Sequence, residues 1–118
     1  MKGPTVSDFL PDKHPYTTWM RRYTLVPELA EEFIQFLIHE VFPARREFGF
    51  EPLHVWVDVD RSQVTWLVGA ALDSQDFARL EENWENSEIR ADVFDGKPAY
   101  VVAKDLREVQ SVPIGPEI

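Results

Sequence analysis

The chain has no cysteine. A disulfide framework, a thiolate zinc site and a cysteine nucleophile are therefore excluded. It is also short of positive charge. Twelve lysines and arginines stand against 21 aspartates and glutamates, for a formal net charge of −9. Nucleic-acid binding leans on basic patches that neutralise phosphates, and anionic membranes attract the same kind of patch. Neither partner is expected. No stretch approaches the ~18 apolar residues of a membrane span. The opening MKGPTVSDFLPDKHP has no apolar run of signal-peptide length. Phosphate-loop, dinucleotide and nucleophile motifs are lacking as well. These absences point to an acidic protein of the cytoplasm that uses neither a metal nor an organic cofactor.

What is present is enough for one domain: 118 residues, 44% of them hydrophobic. Residues 1–16 carry three prolines and a glycine and read as an extended arm. Residues 17–106 hold the periodic segments, and 107–118 form a tail with proline and glycine. Trp19 to Leu25 reads as a first strand, followed by Pro27 at a helix start. From Glu28 to Glu47, Leu29, Ala30, Phe33, Phe36, Leu37, Val41 and Ala44 fall on one helical face. Pro43 predicts a kink near Phe42, and Gly49 a helix end. Two strands follow, Leu53 to Asp60 and Val64 to Ala71, joined at Arg61 and Ser62 as a hairpin. Asp73 is a helix N-cap, with Phe77, Leu80 and Trp84 at helical spacing behind it. A short helix over Ser87 to Phe94, a turn at Asp95–Pro98 and a last strand from Tyr100 to Leu106 complete the order.

Strand, helix, strand, strand, helix, strand is the ferredoxin-like α+β pattern, with a four-stranded antiparallel sheet and both helices on one face. The stretch LHVWVDV (Leu53 to Val59) alternates strictly. It sets Leu53, Val55, Val57 and Val59 against His54, Trp56 and Asp58. The aliphatic set is too apolar to face water. A second copy of the same sheet is the simplest cover, so a homodimer with face-to-face sheets, a dimeric α/β barrel, is expected.

Three stretches also resemble a known group. WMRRYTLVPELAEEF, FPARREFGF and VTWLVGAALDSQDFARLEENWENSEI are similar to the opening strand and helix, the helix end, and the third strand and following helix of NIPSNAP-like domains. The likeness covers about residues 18–106. It implies the dimeric α/β-barrel superfamily, which also holds antibiotic-biosynthesis monooxygenases, muconolactone isomerases, polyketide cyclases and dye peroxidases. It further implies a small-molecule cavity between sheet and helices, faced by Thr65, Leu67, Gly69 and Ala71. One departure is the Gly69-Ala70-Ala71-Leu72 end of the third strand, where many relatives carry an aromatic residue.

A two-residue hairpin turn pairs Thr65 with Asp58, Leu67 with Trp56 and Gly69 with His54. On the face taken from the resemblance, the His54 row lines the cavity, Gly69 leaves space beside the imidazole, and the valines face the dimer. His54 and Asp58 are four strand residues apart, about 13 Å, too far to share one metal ion. With His14 in the arm and His39 on the polar helix face, no three-histidine site is expected.

The candidate catalytic residues are His54 and Glu40. His54 has a suitable intrinsic pKa, and an exposed edge histidine is its alternative reading. Glu40 falls near the centre of the apolar helix face between Phe33 and Phe36, where burial favours a protonated carboxyl. Arg21 and Tyr23 are its expected partners, and the alternative is that Pro43 turns it out to solvent. Arg21, Tyr23, Trp56 and Leu67 are the candidate substrate-binding residues. Arg45 and Arg46 read as solvated charge, with contact to an anionic substrate as the alternative. The expected function is cofactor-independent acid–base chemistry on a hydrophobic cyclic or aromatic metabolite, by an oxygenase, cyclase, isomerase or lyase of natural-product tailoring type. A non-catalytic NIPSNAP-like ligand-binding or interaction dimer is the other reading.

Overall fold

The structure is a computed structural model, and residues 15–115 are described. All but two residues of the expected arm over 1–16 lie outside them, as does His14. Strand β1 spans Thr17–Leu25. A 3₁₀ turn at Pro27–Leu29 leads into α1, Ala30–Phe36; a π-turn at Leu37–Val41 joins it to α2, Phe42–Phe48. β2 (Glu51–Val57) and β3 (Gln63–Ala70) form the hairpin. Then come α3 (Ser74–Glu85), α4 (Glu88–Phe94) and β4 (Val101–Val109). The last strand thus runs three residues past the expected Leu106. The sheet order is β2-β3-β1-β4 and every pairing is antiparallel, which is the α+β ferredoxin-like arrangement expected from the element order.

Local chemistry accounts for the element ends. Pro27 occupies the first turn, where a missing N–H costs nothing. Gly49 closes α2 at φ +122°, in a region that other residues rarely adopt. The Asp73 carboxylate accepts from the Asp76 N–H at 2.8 Å and caps α3.

The helices cover the sheet face that carries Tyr23 and Leu25 of β1 and Val64, Trp66, Val68 and Ala70 of β3. Phe33, Phe36, Leu37, Val41, Phe77 and Trp84 meet that face from the helical layer. Val55 pairs with Trp66 and Val57 with Val64, so the aliphatic residues of β2 also point toward the helices. This corrects the expectation that the valines face a second sheet. An apolar strand face can be covered by either layer, and alternation alone does not choose.

The hairpin register is corrected too. Trp56 pairs with Thr65 and His54 with Leu67, a shift of two residues. The Asp58 N–H donates to the Gln63 carbonyl at 2.9 Å, and the residues between them form the loop. There Asp60 accepts from the Ser62 N–H at 3.0 Å, and Arg61 turns at φ +66°. Val59 is therefore out of the strand and 98% exposed. A bulge between Pro52 and His54, beside a proline that cannot donate to the ladder, leaves Leu53 half exposed. Among the described residues, no helix is long and apolar enough to cross a membrane.

Candidate functional site

A cavity of about 210 Å³ lies between the sheet and the helical layer. Arg21 and Tyr23 of β1, Trp66 of β3 and Lys104 of β4 contribute from the sheet. Phe33, Leu37, Val41 and Arg45 contribute from the first helical run, and Trp84, Glu85, Arg90 and Phe94 from the second. Pro98 to Val101 close the remaining side. Six aromatic side chains contribute to the wall: Tyr23 stands edge-on to Trp66, and Phe33 lies 5.2 Å from Tyr100.

Charge is concentrated against this wall. Arg21, Arg45 and Glu81 are each at most 5% exposed. Glu81 accepts from Arg45 through two contacts, at 3.1 and 3.3 Å, and lies 3.1 Å from Arg21 Nη1. The Arg21 Nε–H donates to the Tyr23 hydroxyl at 2.7 Å. The guanidinium of Arg45 lies over Phe50, Trp66 and Trp84, and that of Arg21 over Trp66. Burial opposes the charged form of Arg21, yet Tyr23, Glu81 and Glu85 outweigh it and hold its pKa above the ordinary value. For Arg45, burial and then the Arg21 charge push the pKa down, with Glu81 opposing. Two guanidiniums thus share one carboxylate.

Of the candidate residues, the structure brings Arg21 and Tyr23 to the cavity wall. Glu40 is elsewhere. Its side chain is 51% exposed and lies 3.8 Å from Lys97, which corrects its expected burial beside Arg21 and Tyr23. The π-turn explains the difference. It takes more residues per turn than an α-helix, so it rotates the face by an extra step. Val41 moves to the centre of the buried side and Glu40 to its flank. The break expected at Pro43 takes this form.

His54, Trp56 and Leu67 project from the sheet face opposite the helices, so none lines the cavity. The His54 and Trp56 rings touch at a tilt of 37°, with centroids 4.2 Å apart, and Trp56 is 49% exposed. Asp58, on the same side, pairs with Arg22 at 3.0 Å. Thr65 and Gly69 sit on that face as well. Gly69 pairs with Glu51, not His54, and the Tyr16 ring occupies the space over it. His39 Nε2 lies 3.1 Å from Gln35 Oε1 on the outer helix surface.

Two residues of the site escaped sequence reasoning. Arg46 is exposed, but Arg45 is buried rather than solvated. Glu81 received no role. Both carried a signal: Arg45 is in helical phase with Val41 and Phe48, and Glu81 with Phe77 and Trp84. A charge at a core phase on two facing helices is the pattern of a buried ion pair.

Comparison with known proteins is informative at the level of fold. No family model matches the chain, and no curated protein sequence matches it. Solved structures do. A NIPSNAP-like domain protein from Burkholderia xenovorans superposes with a TM-score of 0.70 at 20% identity, over 89% of this chain and 92% of that one. A NIPSNAP family protein of unknown function from Agrobacterium tumefaciens gives 0.70 at 8% identity, over 89% and 96%. A candidate antibiotic biosynthesis monooxygenase from Bacteroides thetaiotaomicron gives 0.57 at 20%, over 87% and 93%. The fold is thus shared with the NIPSNAP-like proteins whose motifs the sequence resembles.

Proposed function

We propose that this NIPSNAP-like fold serves as a small-molecule enzyme, with its site in the cavity between sheet and helices. The supporting observation is the coupling of Arg21 to Tyr23 inside an aromatic wall. With its oxygen accepting from Arg21 Nε, the Tyr23 hydroxyl directs its own proton toward another acceptor. A carbonyl or enol oxygen of a cyclic or aromatic substrate is that acceptor. Arg21 then stabilises negative charge developing on the phenol oxygen. The phenolate so formed takes the α-carbon proton of the protonated substrate, which regenerates the phenol and leaves an enol, the intermediate of isomerisation and cyclisation. A binding module without turnover is the second reading, favoured by the engagement of Glu81 with two arginines, which occupies a carboxylate that could otherwise act as a base.

The test is consumption of a panel of one-ring ketones, phenols and lactones, followed by mass spectrometry. Tyr23→Phe is expected to lower turnover at least ~10²-fold while binding persists. Binding of panel members with no turnover by either protein would favour the second reading.

A homodimer is part of the same proposal, but through the face that carries Met20, Arg22, Trp56, Leu67 and Arg107 rather than the valines. A two-fold contact sets one patch against itself, so any charge on it needs the opposite charge on the same patch. This patch has both signs: Arg22 with Asp58, and Arg107 with Asp105. The half-exposed Trp56 supplies an apolar anchor. Light scattering is expected to give the mass of two chains, and that of one chain for Trp56→Asp.

A further inference from the structure

The chain is acidic, yet its cavity is lined by cations. Arg21, Arg45, Arg90 and Lys104 contribute to the wall, four of the twelve lysines and arginines in the sequence. Two carboxylates oppose them. Glu81 is held by both buried arginines, and Glu85 lies 3.6 Å from Arg90. Glu32, bonded to the Tyr100 hydroxyl, is exposed, so water screens its charge. The net local charge is positive.

Donors also outnumber acceptors there. The Nε–H of Arg45 and the Nε1–H of Trp66 are buried without a hydrogen-bond partner among the described residues. Both nitrogens are closed off from the cavity space, so they are not direct contacts for a ligand. They leave positive dipole ends uncompensated in a low-dielectric wall, which raises the potential inside. A buried positive charge that lacks a counterion is costly, and an anion in the cavity relieves that cost.

We propose that the ligand of this cavity is a one-ring carboxylate: a planar, apolar ring carrying a single negative charge. The size fits. A cavity of about 150 Å³ holds benzene, so 210 Å³ accommodates one ring with a small substituent. The ring meets Phe33, Trp66 and Tyr100. The carboxylate is drawn to Arg21 and Lys104, which come from neighbouring strands and both line the space. The negative protein surface repels such a ligand at long range; the cavity attracts it at contact, where screening by water is weakest.

This inference rests on the cavity being the functional site, and its test separates the two. Tryptophan fluorescence, with Trp66 and Trp84 in the wall, follows titration of the whole protein with benzoate and with benzamide, a neutral molecule of nearly the same shape. Benzoate is expected to bind roughly tenfold tighter or more, as suits a desolvated charge contact. Lys104→Met is expected to weaken benzoate and leave benzamide unchanged. Arg21→Met is the stronger variant, but the loss of a buried charge can unfold it, so the ligand pair and Lys104→Met carry the test. Benzamide binding as well as benzoate would overturn the proposed charge and leave the cavity reading intact. If neither binds, nor neutral probes such as indole and cyclohexanone, both ideas fall.

Discussion

Arg45 and Glu81 meet as a two-contact pair, Nη1 to Oε2 at 3.1 Å and Nη2 to Oε1 at 3.3 Å, with almost no exposure to water. The second carboxylate oxygen is shared with Arg21, so one side chain of α3 ties α2 to β1. Breaking such a triad costs more than its net stabilising value, because the groups left behind stay buried and charged. Glu81→Gln keeps the shape and removes the charge. Unfolding in urea is expected to show a loss of about 3–5 kcal/mol. A loss under about 1 kcal/mol would mean that the arginines are hydrated in solution.

Tyr100 yields a prediction in pH. Its ring is 3% exposed while its hydroxyl reaches the exposed Glu32 carboxylate at 2.5 Å. Burial, and then the hydrogen bond to Glu32, push its pKa up to about 12 from the ordinary 10.0. The folded state therefore holds this proton more tightly than the unfolded chain. Its contribution is complete below pH 10 and is lost as pH rises toward 12. The difference in stability between the wild type and Tyr100→Phe should be flat below pH 10 and shrink above it. A difference that grows through that range would contradict the assignment.

Gly69 and Tyr16 should be coupled. A Cβ on Gly69 would come within 2.5 Å of the Tyr16 ring, whose hydroxyl bonds to Glu51. The ring is at the surface and free to swing away, so Gly69→Ala is expected to cost about 1 kcal/mol and to release that bond. In a Tyr16→Ala background the same substitution should cost less, since nothing remains to be displaced. Equal costs in the two backgrounds would place the strain in the backbone.

Glu40→Gln tests the position given by the π-turn. The side chain is half exposed and its Lys97 contact is long. Stability is expected to change by less than about 0.5 kcal/mol, and ligand affinity in the cavity not at all. Loss of binding would show that the carboxylate reaches inward.

Much of this protein follows from local rules in the sequence. The β-favouring residues of β1, the alternation in β2 and the helical phase of Phe77 and Trp84 set the element order and the antiparallel sheet, because each depends only on neighbours along the chain. Arg21 and Tyr23 were expected to face inward only as partners of Glu40, which stands elsewhere. Other features depend on contacts between distant segments. Whether the valines of β2 met helices or a second sheet was decided by packing, since burial rewards either cover equally. The hairpin register came from an Asp60–Ser62 turn that shifts every pair by two residues. The place of Glu40 came from a π-turn beside Pro43 that resets the helical wheel. The triad of Arg21, Arg45 and Glu81 exists only once β1, α2 and α3 converge. Until then each charge is solvated, and only desolvation in the assembled layer turns three separate side chains into one site.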